Sequence, residues 1–110
     1  MERFVKGEVV VFEFPYTDLS KTKKRPSLIV ANLKGDNFIL CQITGQPRPD
    51  PDLVNLKRDD FQTGGLQRDS FIMPSFVFTI HKSKINYSAG KIKKDKIKEV
   101  EKKICEIFTR

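Results

Sequence analysis

The sequence predicts a mainly β domain that carries a helix at its C-terminal end. Short runs of β-branched, aromatic and other apolar residues alternate with segments rich in Gly, Pro, Asn, Asp and Ser, which is typical of strands and turns. After Gly90 the spacing of apolar residues changes to that of a helix. The 110-residue length suits one domain with one core, so a single domain is predicted over residues 1–110. About five to seven short strands favour a closed barrel or a sandwich.

The first strand is predicted at residues 7–14, where Val and Phe dominate and Pro15 ends the run. Residues 15–25 lack apolar periodicity, which predicts a polar loop longer than a hairpin turn needs. Four basic residues, Lys21, Lys23, Lys24 and Arg25, are concentrated there.

A hairpin is predicted next, because apolar runs at residues 26–33 and 37–44 flank a turn of the Lys-Gly-Asp type at 34–36. Residues 45–52 hold three alternating prolines, which cannot donate to a ladder and predict an exposed loop or edge segment. Both strands of the hairpin would place one face in the core.

The rest of the sheet is less regular. Residues 53–56 predict a short strand, and residues 59–65 have turn chemistry around Phe61. Residues 70–73 and 76–80 are two further strand candidates, separated at Pro74.

The C-terminal helix is predicted from an apolar face with lysines opposite it. Asp95 lies in its first turn, where a negative charge suits the helix dipole. The predicted apolar face consists of Ile97, Val100, Ile104, Ile107 and Phe108.

Composition narrows the function classes. The net charge of +7 favours polyanions such as nucleic acid or an acidic protein partner. No apolar run is long enough to cross a bilayer and none follows the first charged residues as in a signal peptide, so a cytoplasmic protein without a membrane partner is expected. Cys41 and Cys105 are interpreted as free thiols rather than a disulfide.

Several kinds of enzyme site are not supported by the sequence. A single histidine, His81, cannot serve as both acid and base, and it is interpreted as a surface residue. The close acidic pairs, Asp50 with Asp52 and Asp59 with Asp60, are explained by loop solvation, so neither a metal nor a cofactor is predicted. There is also no phosphate-binding glycine loop and no nucleophile elbow.

Arg25 and Thr44 are the candidate phosphate-binding pair. Pro26 restricts the backbone of Arg25, and the predicted hairpin places Arg25 and Thr44 at the same end. A guanidinium and a hydroxyl at one place can share a phosphate. On spacing alone, a solvated loop charge and an ordinary strand-end hydroxyl are the simpler interpretations of Arg25 and Thr44.

A run of motifs resembles the MazF-like, PemK-like toxins and covers most of the chain in order. It comprises GEVVVFEFPYTDLS at 7–20, KKRPSLIV at 23–30, ILCQIT at 39–44, GLQRDS at 65–70, TIHKSKI at 79–85 and GKI at 90–92. The resemblance implies an SH3-like barrel of the MazF/PemK/CcdB toxin type and a homodimer. It also implies a cognate acidic antitoxin as partner, with DNA contacted only through the toxin-antitoxin complex.

The same resemblance implies metal-independent, sequence-selective cleavage of single-stranded RNA, usually mRNA. Arg25 and Thr44 match the family's catalytic residues, and the 2′-hydroxyl of the RNA would attack the neighbouring phosphate to leave a 2′,3′-cyclic phosphate and a 5′-hydroxyl. An arginine stays charged near neutral pH, so its expected role is to stabilise negative charge. The substrate-binding residues that the resemblance implies are Lys24, Gln42, Gly45, Gln46, Asp69 and Ser70.

Two positions depart from the family pattern. Gly45 stands where the family often has Ser, which bears on activity or base selection, and Lys93 stands where Ser commonly begins the helix. Asp69 and Ser70 are explained equally well as a cap at the start of a strand.

Two rival functions remain open from the sequence. One is a toxin of the same fold that binds and poisons a DNA topoisomerase, as CcdB does. The other is a noncatalytic SH3-like RNA-binding module.

Overall fold

The computed structural model describes residues 3–15 and 22–110. Most of the predicted loop at 15–25, including Lys21, lies outside the described residues. The described part of the chain contains seven strands, one α-helix and two short 3₁₀ helices. The strands are β1 Glu8–Pro15, β2 Thr22–Asn32, β3 Asn37–Thr44, β4 Val54–Leu56, β5 Phe61–Gly64, β6 Ser70–His81 and β7 Ile85–Ile92; the helix is α1 Lys94–Thr109; and the 3₁₀ helices are Arg58–Asp60 and Lys82–Lys84.

All seven strands form one antiparallel sheet in the order β4-β6-β3-β2-β1-β7-β5. The sheet curls, because Val54 of edge strand β4 and Phe61 of the opposite edge strand β5 lie in the same hydrophobic cluster. This confirms the predicted class, a mainly β domain with a C-terminal helix. Among the described residues, no helix combines the length and apolar character of a bilayer-crossing segment.

The main core lies on the face that the curled sheet encloses. Strand alternation points every second side chain of β1, β2 and β3 to this face. Helix α1 covers it with Ile97, Val100 and Ile104. The buried members of this cluster are Val9, Leu28, Cys41, Ile43, Val54, Leu56, Phe61, Ile72, Ile92 and Val100.

The predicted apolar face of α1 is correct except at its end. Val100 is fully buried, but Phe108 is 70% exposed. Packing of the helix weakens towards its C-terminal turn, so the last aromatic ring of the pattern lies in solvent. Lys93 precedes the helix without a side-chain cap, as its departure from the family pattern predicted.

Two predicted segments need correction, and one strand was not predicted. Thr22–Arg25 belong to β2, where they pair with Pro15–Phe12 of β1, so the polar segment before Pro26 is not all loop. Residues 59–65 are not simply a turn, since a 3₁₀ helix leads into β5 at Phe61. Strand β7 was not predicted, because its sequence INYSAGKI shows little apolar alternation. The strand forms because β1 and β5 pair with it.

Pro74 does not break β6, contrary to prediction. The β3–β6 register jumps from the pair Gln42–Met73 to the pair Cys41–Val77, so residues 74–76 bulge out of the ladder. A proline inside a bulge has no ladder hydrogen bond to donate. The strand therefore continues through Pro74 from Ser70 to His81.

The loop after β3 is fixed at two points. Asp52 is 6% exposed and accepts hydrogen bonds from both terminal nitrogens of Arg110 at 3.3 and 3.0 Å. Asp50 accepts from the Ser75 hydroxyl at 3.1 Å. The expectation that solvation explains these acidic residues is thus wrong for Asp52, whose carboxylate is buried and paired with the C-terminal arginine.

Candidate active site at the end of the β2–β3 ladder

The second face of the sheet is apolar at one end and polar at the other. Val10, Ile29, Phe38 and Leu40 form a buried cluster on this face. Because side chains alternate along a strand, the same face also carries Arg25, Ser27, Gln42 and Thr44 farther along β2 and β3. These four residues form a polar patch on the second face of the sheet.

The strands β2 and β3 separate at this patch. Their ladder ends at the pair Ser27–Gln42 within the described residues, and the next residue of β2 is Pro26, which has no N–H to donate. Each strand nevertheless stays in the sheet through its other neighbour, since Arg25 pairs with Phe12 of β1 and Thr44 pairs with Phe71 of β6. The result is a fork in the sheet that begins just beyond Ser27 and Gln42.

Arg25 and Thr44 lie on the two arms of this fork. Each follows the last ladder pair by two residues, so both project to the same face as Ser27 and Gln42. Arg25 is half-buried, and Phe12, its neighbour in β1, is 3% exposed. A guanidinium on an apolar wall is less screened by water than one in open solvent, which strengthens its attraction for an anion.

The Thr44 hydroxyl is held by the backbone that follows it. The Gln46 N–H donates to Thr44 Oγ1 at 3.3 Å, and the hydroxyl lies 3.4 Å from the Gln46 carbonyl oxygen, to which it donates. Thr44 is 5% exposed. Both bonds are long for their type, so the hydroxyl is oriented but not strongly engaged.

Ser27 and Gln42 supply unsatisfied polar atoms directly beside this pair. Ser27 is fully buried and Gln42 is 6% exposed. Neither Ser27 Oγ nor Gln42 Oε1 has a hydrogen-bond partner in the described structure. Sequence reasoning singled out Gln42 but missed Ser27, although its position in the strand, two residues after Arg25, was a usable signal.

The other predicted substrate-binding residues differ in their position relative to the fork. Gly45 and Gln46 follow Thr44 directly, so they lie at the fork. Lys24 is exposed and, by alternation, points away from the face of Arg25. Asp69 is exposed just before β6.

Ser70 is not brought to the polar patch. Its partner in β4 is Leu56, a member of the main core, so Ser70 points to the core face of β6. It is 5% exposed, and its hydroxyl donates to the Arg68 carbonyl oxygen at 3.1 Å. This contact is that of a strand-start cap, the alternative that the sequence left open.

Arg68, which was not among the predicted site residues, approaches the site. A Cβ atom built on Gly45 would lie 3.1 Å from Arg68 Nε, 3.3 Å from Cζ and 3.4 Å from Nη2. The guanidinium therefore lies against the backbone of the residue that follows Thr44. Only the tertiary structure joins residues 45 and 68, which explains why sequence reasoning missed the contact.

The remaining titratable candidates stand apart from the fork. His81 ends β6, is exposed, and accepts a hydrogen bond from the Ser83 N–H at Nδ1. Burial raises the pKa of the Cys41 thiol to about 12, because the core disfavours the thiolate. Over residues 3–15 and 22–110, no group of three or more His, Cys, Asp or Glu side chains is placed to hold a metal ion.

Comparison with known proteins places this architecture in a family. Residues 5–108 match the model of the PemK-like, MazF-like toxins of type II toxin-antitoxin systems. The chain belongs to this family. It is therefore a toxin of a type II toxin-antitoxin system, of the MazF/PemK type. No curated protein sequence matches the chain.

Solved structures of MazF-type toxins share the fold at low sequence identity. An endoribonuclease in complex with its cognate antitoxin from a mycobacterial species superposes with a TM-score of 0.75 at 16% identity, covering 96% of this chain and 95% of that one. The Mycobacterium tuberculosis toxin MazF-mt6 gives 0.70 at 16% identity, covering 92% and 95%. The MazE-MazF structure from Deinococcus radiodurans gives 0.70 at 15% identity, covering 94% of each chain. The predicted toxin-type fold is thus confirmed for this MazF/PemK-family chain.

Proposed function

We propose that this toxin is a metal-independent endoribonuclease that cleaves single-stranded RNA, mRNA above all, at selected sequences. The observation that carries the proposal is the fork in the sheet, where β2 and β3 part and present Arg25 and Thr44 on the same face. A fork of this kind offers one anion a guanidinium from one arm and a hydroxyl from the other. Unpaired polar atoms of Ser27 and Gln42 line its base.

The proposed reaction is an internal transfer within the RNA. The 2′-oxygen attacks the adjacent phosphorus while the bond from phosphorus to the 5′-oxygen breaks, and the proton lost by the 2′-hydroxyl is balanced by one gained at the 5′-oxygen. The products are a 2′,3′-cyclic phosphate and a 5′-hydroxyl. Arg25 stabilises the negative charge that grows on the non-bridging oxygens, since a charged donor contributes most where charge develops.

Thr44 needs only a small change to join this step. Its hydroxyl keeps the hydrogen bond that it accepts from the Gln46 N–H and exchanges the 3.4 Å contact to the Gln46 carbonyl for a phosphate oxygen. Little is lost in the exchange, because a donor at that distance from its acceptor is weakly bound. The hydroxyl thus turns towards the oxygens that Arg25 already contacts.

The partners of the toxin are also proposals. One similar structure is named as an endoribonuclease in complex with its cognate antitoxin and another as MazE-MazF, and we infer that this chain likewise binds a cognate antitoxin. The net charge of +7 favours an acidic one. A homodimer in the cytoplasm completes the proposed assembly. Sedimentation of the purified toxin at twice the chain mass of 12.7 kDa would support the dimer.

The experiment is cleavage of a long single-stranded RNA by the purified protein with a metal chelator present. The wild type should give discrete cuts whose ends carry a 2′,3′-cyclic phosphate and a 5′-hydroxyl. Arg25→Ala and Thr44→Ala should each lose most of the cleavage, on the order of 100-fold or more. Lys98→Ala, an exposed lysine of α1, is the matched control and should cut normally.

Three outcomes would contradict the proposal. Cleavage that needs added metal would contradict the proposed metal-independent attack of the 2′-hydroxyl on the phosphate. RNA binding without any cut would instead favour the noncatalytic RNA-binding module, and inhibition of a DNA topoisomerase without RNA cleavage would favour the poison of the same fold.

A further inference from the structure

Arg68 lies against a glycine that the backbone does not require. The glycines with positive φ are Gly7, Gly35, Gly64, Gly65 and Gly90, and Gly45 is not among them. The φ angle of Gly45 therefore lies outside the left-handed region that favours glycine. The three heavy atoms nearest to a Cβ at this position all belong to the Arg68 guanidinium. With a Cβ at residue 45, the Arg68 guanidinium would have to move by a few tenths of an ångström.

The Arg68 backbone is anchored while its charge is open to solvent. Its carbonyl oxygen accepts from the buried Ser70 hydroxyl at 3.1 Å, at the point where β6 begins. Among the described residues its guanidinium makes no hydrogen bond or ion pair, and the side chain is exposed. A solvated cation of this kind is common on protein surfaces, but the Arg68 guanidinium packs against Gly45, the residue that follows Thr44.

Charge and geometry suit a phosphate at this place. Consecutive residues of a strand are about 3.3 Å apart, so a guanidinium on Gly45 lies within one nucleotide of Thr44. The planar fork of an arginine binds two phosphate oxygens at once, which a lysine cannot do. The nearby carboxylate of Asp69 is exposed and forms no ion pair with Arg68 in the described structure.

We propose that Arg68, seated on Gly45, is an RNA-positioning residue that binds the phosphate next to the scissile one. This rests on the proposed function, since it takes the fork of Arg25 and Thr44 as the site of cleavage. Gly45 then determines where the RNA backbone lies. Replacing Gly45 by Ser, the residue that the family often carries there, would displace the Arg68 guanidinium, and the RNA phosphate that it binds would move with it.

The first test measures binding rather than cleavage. The affinity of the full-length protein for a fluorescently labelled single-stranded RNA of mixed sequence is measured over a range of salt concentrations, in the Thr44→Ala background. Adding Arg68→Ala should weaken binding about tenfold and lower the slope of log affinity against log salt by about one. Adding Lys102→Ala, an exposed lysine of α1, should leave the slope unchanged. An unchanged slope with Arg68→Ala overturns the proposal.

The second test asks whether Gly45 acts through Arg68. Gly45→Ser should weaken RNA binding when Arg68 is present and have little further effect in the Arg68→Ala protein, because neighbouring residues that share one function are not additive. Equal effects in both proteins would overturn the proposed link. Arg68→Lys should keep the salt slope but lose part of the affinity, since it keeps the charge and loses the two-pronged contact.

These measurements separate the two proposals. If the wild type binds RNA but never cuts it, the proposed nuclease function fails while the salt slope still tests Arg68. If the wild type cuts RNA and the slope is the same with and without Arg68, only the role of Arg68 fails.

Discussion

The two faces of the central strands have opposite characters. On the core face, Leu28, Cys41 and Ile43 belong to an apolar cluster. Helix α1 and the strands at both edges of the sheet complete this cluster. On the other face, apolar packing stops where the polar patch begins, and Ser27 Oγ and Gln42 Oε1 are buried without partners. A buried polar atom without a hydrogen bond costs about 1–3 kcal/mol.

The difference indicates what each face is for. The core face is arranged for stability, because apolar side chains from strands at both edges of the sheet and from helix α1 pack together on it. The polar patch lowers stability where β2 and β3 separate, and a cost of this kind is typical of sites that bind something else. The two faces should therefore respond to mutation in opposite ways.

The largest expected contrast is between Leu28→Ala and Arg25→Ala, two positions of β2 that lie three residues apart and point to opposite faces. Leu28 is 1% exposed, so its truncation should lower the free energy of unfolding by about 2–5 kcal/mol and leave the cleavage rate per folded molecule unchanged. Arg25→Ala should reduce cleavage about 100-fold to 1000-fold with a stability change under about 1 kcal/mol. Urea denaturation measures the free energy of unfolding of both variants, and single-turnover kinetics measure their cleavage rates. Equal effects on stability would remove the distinction between the faces.

A smaller effect is expected from Ser27→Ala. This substitution removes a fully buried hydroxyl that has no partner in the described structure, so the free energy of unfolding should rise by about 1 kcal/mol. RNA affinity should fall at the same time if the base of the fork contacts the substrate. A loss of stability would show that the hydroxyl has a partner in the assembled toxin.

The smallest effect concerns the thiols. Cys41 is fully buried and Cys105 is exposed, so a thiol reagent at pH 8 should modify one cysteine per native chain and two after denaturation. Burial raises the pKa of Cys41 from 9.0, its value in the unfolded chain, to about 12 in the folded protein. The thiol is neutral in both states below pH 9, so its contribution to stability is fully present there. That contribution is lost as the pH rises from 9.0 to about 12. Rapid native labelling of both thiols would contradict the packing of the core face.

Strands with apolar alternation were predictable from the sequence, and strands held by their neighbours were not. The hairpin of β2 and β3 follows from its apolar runs and its turn. Strand β7, with Asn, Ser, Gly and Lys among its residues, has no such signal and exists because β1 and β5 pair with it. Pro74 misled the prediction because only the partner strand reveals that the proline sits in a bulge.

The candidate site divides in the same manner. Local sequence places Arg25 before Pro26 and Thr44 at the end of a strand, which suffices to put them at one end of a hairpin. The contact of Arg68 with Gly45 joins segments that are distant along the chain, so no local pattern predicts it. Ser70 was predicted to bind substrate, and its pairing with Leu56 turns it towards the core face, which no local pattern predicts; its role stays a prediction.

The most direct test of the account compares Arg25→Ala, Thr44→Ala and the double variant by single-turnover cleavage of one RNA. If both side chains act on a single phosphate across the fork, the double variant should be about as slow as the slower single variant, because groups that act as a unit are not additive. Losses that multiply would mean that the two residues act independently, and would contradict a shared phosphate between β2 and β3.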